Sequence, residues 1–246
     1  MQYLVLNRPE RKNALDRALV QALGLALRET GRDPEVRVIV LSGAGGAFCS
    51  GADLRSMTGK ESSELEPRLD EFHELIRAIV GAPQPVIAQI EGPAVGFGAD
   101  LALACDLRLF ADTGYLEEGF VKIGLMPDGG GTMWLARQIG YVRAFEMLTL
   151  GTRLSAEDCL RLNIANSVVT AANLPTTIRT LAQRLADAAP LAVVRIKRAL
   201  RQADEALLEQ TLALEKEGQL ALLKSRDFQE GVAAFLEKRA PQFRGS

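Results

Sequence analysis

The stretch GLMPDGGGTMWLARQIG, residues 124–140, places one carboxylate, Asp128, just ahead of an amphipathic helix. Two roles fit that position. A carboxylate before a helix accepts hydrogen bonds from its first free N–H groups and caps it. A desolvated carboxylate moves protons. The two roles make opposite demands, since a helix N-terminus favours the charged form and weakens the base, whereas an apolar surround strengthens it. A second carboxylate, Asp100, opens the helix-like stretch GADLALA and raises the same choice between capping, orienting and assisting. The single histidine, His73, lies in EFHELIRAI, where a surface or hydrogen-bonded histidine is the plain alternative to a functional one.

Two further stretches share a form: an apolar strand, a glycine-rich loop, then a helix start. They are VIVLSGAGGAFCSGADL (38–54) and VIAQIEGPAVGFGADLALACD (86–106). Glycines let a ligand approach the backbone, and free N–H groups at such junctions bind negative charge. Two N–H groups aimed at one oxygen would make an oxyanion hole. The plain alternative is two connections between strand and helix. Neither loop ends in G-K-[ST], and GPAVGFG lacks the G-x-G-x-x-G order, so nucleotide fingerprints are absent.

The elements that must position these residues alternate. Strands are predicted at 2–6, 36–43, 84–92 and 107–111, with a short one at Ser167–Val169. Helices are predicted from Asp16, an N-cap, to Arg28, over 69–82, 131–139, 141–149 and 154–163, and within 93–106, where a glycine-rich loop feeds a helix. The polar stretch 57–68 reads as a mobile loop. From Leu174 onward the pattern is helical throughout, over 174–188, 191–202, 204–223 and 227–238. The pattern predicts an α/β core followed by a helical module.

Composition narrows the function. A net charge of −2 and 5% aromatic residues argue against a nucleic-acid partner, which calls for a basic face and stacking platforms. No stretch reaches the ~20 apolar residues of a membrane span. MQYLVLNRPE lacks the basic and apolar regions of a secretory signal, so a cytoplasmic protein is expected. The three cysteines, Cys49, Cys105 and Cys159, are far apart and form no C-x-x-C, which indicates buried thiols rather than a metal site or disulfides.

The chain resembles the crotonase (enoyl-CoA hydratase/isomerase) superfamily. The matching pieces are LNRPERKNALD (6–16), VIVLSGAGGAFCSGADL (38–54), PQPVIAQIEGPAVGFGADLALACDLRL (83–109), FVKIGLMPDGGGTMWLARQIG (120–140), LTLGTRLSAEDC (148–159) and FLEKRAPQF (235–243). They come in family order and span nearly the whole chain. The resemblance implies a spiral of ββα units over residues 1–188 and a helical module over 189–246 that builds a homotrimer or a dimer of trimers. It implies an acyl-CoA thioester as substrate, no metal and no cofactor beyond that coenzyme A.

The same resemblance assigns positions. The oxyanion-hole N–H groups fall on Ala52 and Phe97. Coenzyme A contacts fall on Arg11, Lys12, Asn13 and Ala14, on Ala52, Asp53 and Leu54 beside the adenine, and on Phe235 and Lys238. Phe97 is bulkier than the glycine usual there and narrows the acyl pocket. The two glutamates of the family's hydratases fall on Asp100 and on Phe120, which transfers no proton. Asp128 matches instead the carboxylate of certain isomerases, the ring-1,2-epoxyphenylacetyl-CoA isomerases foremost, and needs apolar walls for which Phe97, Phe120 and Leu125 are candidates. An isomerase of fatty acyl or aromatic acyl thioesters is therefore expected. The alternatives are a hydratase using Asp100 and Asp128, and an acyl-CoA binder without turnover. A dehalogenase-like role for His73 meets Phe120 where that chemistry uses a tryptophan, and Trp134 reads as core. Only MQYLVL precedes NRP, where the family carries a further strand and turn, so either that edge is missing or the start lies upstream.

Overall fold

The computed structural model describes residues 1–56 and 62–246. In chain order the elements are β1 (Gln2–Leu6), α1 (Arg17–Arg32), β2 (Ile39–Gly43), α2 (Ser62–Gly81), β3 (Val86–Ile90), β4 (Pro93–Val95), α3 (Phe97–Ala104), β5 (Leu107–Ala111) and β6 (Tyr115–Glu117). There follow α4 (Gly131–Ile139), α5 (Tyr141–Leu150), β7 (Arg153–Ser155), α6 (Ala156–Arg161), β8 (Ser167–Val169), α7 (Leu174–Asp187), α8 (Pro190–Gln202), α9 (Glu205–Leu222) and α10 (Arg226–Glu237). Five strands form a wholly parallel sheet in the order β1-β2-β3-β5-β8. β4, β6 and β7 form a small second sheet.

The strand sequences explain the layering. Residues 39–42 of IVLSG and most of VIAQI and LRLFA are buried, as parallel strands covered on both faces require. Alternation then sorts the side chains. Ile39 and Leu41 join the large core with α1, α2 and α3, while Val38, Val40, Ile87 and Leu109 face α7 through Leu174, Ile178 and Ala182. α1 starts where Asp16 accepts the Leu19 N–H at 2.9 Å, and it buries Val20, Leu23, Leu27 and Thr30 at helical spacing.

The expected loop at 57–68 is corrected in part. Residues 57–61 lie outside the described residues, and 62–68 are the first turns of α2. Leu65, Leu69, Phe72, Ile76 and Ile79 are all buried and keep one helical period across that boundary. The polar residues between them, with Pro67 exposed, hid the stripe. Strand β2 is also shorter than its apolar run: it begins at Ile39, not at 36.

The two glycine-rich loops are sewn together. The Cys49 N–H donates to Pro93 O at 2.9 Å, and the Val95 N–H donates to Cys49 O at 2.9 Å. The segment after β1 joins them: Leu15 N–H bonds Gly51 O at 2.8 Å, Asp53 N–H bonds Leu15 O at 3.0 Å, and Ser50 N–H bonds Lys12 O at 3.0 Å. Gly98 permits this approach, since a Cβ there would strike the Cys49 carbonyl. All three thiols are buried and free, and burial pushes each up to about 12, so they are inert at neutral pH. Among the described residues no helix is long and apolar enough to cross a membrane. The substitution Gly98→Ala is expected to cost about 1–3 kcal/mol, because the Cys49 carbonyl it would strike is backbone and cannot swing away; a lowered midpoint in urea denaturation is the readout.

Candidate active site

The sewn loops bring Ala52 and Phe97 to the same place. Gly51, just before Ala52, sits so that its Cβ position is 3.6 Å from the Phe97 N. No described group accepts a hydrogen bond from either the Ala52 or the Phe97 N–H. Phe97 opens α3, whose N-cap residue Gly96 has no side chain to occupy the free N–H groups. Two unspent donors therefore stand side by side at the end of the sheet. The Phe97 ring is buried and packs on Phe72 with centroids 4.5 Å apart and planes tilted by 34°. Phe120, also buried, lies against Gly96, and Leu125 follows with its N–H on Phe120 O at 3.0 Å.

Asp128 is not a helix cap. α4 begins at Gly131 behind Gly130, with no cap from a neighbouring side chain in sequence. That role falls to Glu215 of α9, whose carboxylate accepts from Gly130 N–H at 2.7 Å, Thr132 N–H at 3.1 Å and Thr132 Oγ1 at 2.5 Å. Asp128 is 3% exposed. Its Oδ2 accepts from Gln219 Nε2 at 2.9 Å, and its Oδ1 has no described partner. Burial drives its pKa up to about 7, Glu215 pushes the same way, and the Gln219 amide opposes them. The burial that strengthens a base is present, and Glu215 rather than Asp128 takes the first N–H groups of α4.

Asp100 and Glu118 lie directly behind this turn. Both are buried, and the hydrogen bonds described for their carboxyls are one between the two and one to Asp100 from the Asp128 N–H. They face each other across Gly131, where a Cβ would collide with Asp100 Oδ1 and lie 3.1 Å from Glu118 Oε1. At Gly129 a Cβ would lie 2.6 Å from the Asp100 Cβ and 2.8 Å from Phe97 Cε2. The glycines of DGGG are thus a packing requirement of the carboxyls behind them. Burial first, and then the neighbouring carboxylates, raise both groups well above the usual range. The two share a hydrogen bond, and a bond between two carboxyls needs a proton on one of them.

The chain's family follows from comparison with known proteins. The profile of the family described as enoyl-CoA hydratase/isomerase matches residues 1–246. The chain belongs to that family. It is 41% identical to a "Probable enoyl-CoA hydratase" of Rhodobacter capsulatus, covering 98% of this chain and 93% of that one. It is 38% identical to the 1,2-epoxyphenylacetyl-CoA isomerase of Escherichia coli, covering 98% and 94%. The crystal structure of an enoyl-CoA hydratase from Mycobacterium avium subsp. paratuberculosis superposes with a TM-score of 0.90 at 35% identity, covering 98% and 94%. The resemblance carried by the motifs and the crotonase fold are both shown, and the chain is an acyl-CoA-transforming member. Relatives of both names match, so membership alone does not choose hydration or isomerisation.

Within this enoyl-CoA hydratase/isomerase fold the positions expected at coenzyme A divide. Arg11 and Lys12 are exposed, Ala14, Asp53 and Leu54 are half-buried, and all lie on the sewn segment beside Ala52. Asn13 is buried, its side chain bonding Arg8 N, Ala44 O and Ala47 O at 2.8–2.9 Å, so only its main chain is open to a ligand. Asp53 pairs with Arg8 at 3.2 Å. Phe235 and Lys238 are exposed near the end of α10, and no described contact joins them to that segment. His73 is not on the surface. It is 2% exposed, its Nε2 has no described partner, and burial, aided by Arg77, holds it down at about 4 and therefore neutral. Trp134 is core, its Nε1 bonding Gly129 O at 3.3 Å.

Three residues of the site escaped the sequence reading: Glu118, Glu215 and Gln219. A signal existed for two of them. Leu208, Leu212, Glu215 and Gln219 fall on one buried stripe of α9, so polar residues occupy core positions of an otherwise apolar period. A large cleft of about 770 Å³ elsewhere, lined by Lys197, Arg201 and Arg137, offers no rival centre, since those cations pair with Asp106 and Asp204.

The pH dependence of stability follows from Asp128. Its folded pKa of about 7 lies above the ordinary 3.8, so between these values the folded chain binds more protons than the unfolded one. Its contribution therefore turns unfavourable as pH rises from about 4 to about 7. Asp128→Asn is expected to be more stable than the native chain at pH 8, by up to about 4 kcal/mol, and nearly equal at pH 4. Urea denaturation at the two pH values measures the difference.

Proposed function

We propose that the chain is an acyl-CoA isomerase that shifts a double bond through a dienolate. The thioester carbonyl accepts hydrogen bonds from the Ala52 and Phe97 N–H groups. Polarisation of the carbonyl acidifies the adjacent acyl chain. Asp128 Oδ1 takes a proton from one carbon, the electron pair moves into the carbonyl, and the two donors hold the resulting oxyanion. Asp128, now the acid, returns the proton to a different carbon of the same chain. Substrate and product have the same composition, and no cofactor beyond the substrate's coenzyme A takes part. Arg11, Lys12 and the Ala52–Leu54 segment receive that coenzyme, cationic side chains suiting its phosphates.

The observation that carries this reading is Asp128 itself: one desolvated carboxyl, near neutral in pKa, with one oxygen held and one free. Hydration needs a positioned water between two acid–base groups. Phe120 occupies one of the positions where the resemblance places the hydratase glutamates, and Asp100, at the other, shares its proton with Glu118. The 38% identity to an enzyme named as an epoxyphenylacetyl-CoA isomerase supports the same choice. Self-association into trimers is part of the proposal, supported by the exposed apolar side chains Leu191, Ile196 and Leu200 along α8. So is a reducing, cytoplasmic setting, supported by three free thiols.

The test mixes purified protein with 3-enoyl-CoA and, separately, 2-enoyl-CoA. A conjugated product at unchanged mass from the 3-enoyl substrate is expected, read by ultraviolet absorbance and mass spectrometry. Asp128→Asn should slow it by about 10²–10⁴-fold while coenzyme A binding persists. Gain of one water by the 2-enoyl substrate would replace isomerase with hydratase. Binding of both thioesters without turnover would leave an acyl-CoA binder.

A further inference from the structure

α9 crosses the site from 83–93 residues away in sequence, and its contacts there are specific. Gln219 is fully buried. Its Nε2 donates to Asp128 Oδ2 at 2.9 Å, and its Oε1 accepts from the Met126 N–H at 3.2 Å. The amide thus grips the MPDG turn on both sides of Pro127. One helical turn earlier, Glu215 holds the other end of the same turn through Gly130 and Thr132. Gly218 lets the helix come this close, because a Cβ there would strike Met126 Sδ. We propose that Gln219 is a positioning residue for proton transfer: it fixes Asp128 through Oδ2, leaves Oδ1 as the reacting oxygen, and sets the pH range in which the carboxylate is available.

The reasoning is one of elimination around a single side chain. The ionisable neighbours of Asp128 are His73 from α2, Asp100 from α3, Glu118 ahead of the 119–123 turn, and Glu215 from α9. His73 is neutral, and the other three are carboxyls whose charge can only discourage ionisation of Asp128. Among the described side chains, Gln219 alone donates a hydrogen bond to the Asp128 carboxyl. An amide donor stabilises the charged form and lowers the pKa, against burial and Glu215. It also removes a choice. Without it either oxygen could turn toward a ligand; with it only Oδ1 is free. A glutamine does this without bringing a charge into the core, which a lysine or arginine would.

This inference refines the isomerase reading, so its test begins with a readout independent of turnover. The protonated carboxyl band of Asp128 is followed by infrared difference spectroscopy across pH 5–10, assigned as the band missing in Asp128→Asn. Two variants are compared with the native chain. Gln219→Met keeps the volume and removes both hydrogen bonds. Gln219→Glu keeps an acceptor for the Met126 N–H but loses the donor and adds a like charge, and it serves if the first variant does not fold. Loss of one hydrogen bond to a charged group should raise the Asp128 midpoint from about 7 by about 1 in Gln219→Met, and by more in Gln219→Glu. In 3-enoyl-CoA turnover the acid limb of the kcat profile should move upward by the same amount, with KM little changed. An Asp128 midpoint unmoved in the folded variants overturns the proposal. A shifted midpoint in a protein that does not isomerise 3-enoyl-CoA upholds the role of Gln219 and defeats the isomerase reading instead.

Discussion

Four carboxyl groups share one dry volume, and everything around the site answers to that fact. A buried carboxylate without a partner is costly, so each must be hydrogen-bonded or hold its proton. Glu215 takes the first course, with two backbone N–H groups and a hydroxyl. Asp100 and Glu118 take the second, sharing a proton across Gly131. Asp128 stands between these solutions, with one side-chain donor and help from its own N–H. That incomplete satisfaction keeps it poised near neutrality, and a fully bonded carboxylate in its place would be a poor base.

The scaffold explains how such a group can be held. Parallel strands end together on one side of the sheet, where loops gather and helices begin. The cross-bonds between Cys49 and the Pro93–Val95 strand tie two of those loops into one rigid piece. The pair of free N–H groups is therefore built from backbone, insensitive to side-chain identity, and its spacing is fixed by the sheet. The carboxyl side of the site is built differently, from side chains on four separate elements. Rigidity there comes from packing, and the glycines of DGGG make room for it.

This division also decides what the sequence revealed. Apolar periodicity and glycine punctuation located the five strands of the main sheet, most helices, both loops and Asp128, because each is a local pattern; the three-residue strands β4, β6 and β7 are too short to carry one. The pairing of the loops was suggested by their like form but not derivable from spacing. The start of α2 was missed because Leu65 and Leu69 are separated by polar residues and a proline. Asp128 looked equally like a cap, since the true cap, Glu215, sits 85 positions downstream of the N–H it binds. Glu118 hid in a pair of acidic residues whose other member, Glu117, forms ordinary ion pairs with Lys122 and Arg153. Gln219 carried a faint signature, a polar residue on a buried helical stripe, whose meaning depends on what that stripe faces.

The grip of α9 on the MPDG turn has a consequence for how the molecule comes into being. Chains are made from the N-terminus, so the sheet, both glycine-rich loops and the Asp128 turn all exist before α9 is synthesised. Until it docks, the first N–H groups of α4 lack their carboxylate and Asp128 lacks its amide. A nascent or C-terminally clipped chain lacks Glu215 and Gln219, so its MPDG turn has neither contact. On the isomerase reading proposed above, an aligned base arrives last, as a certificate that the whole chain is present.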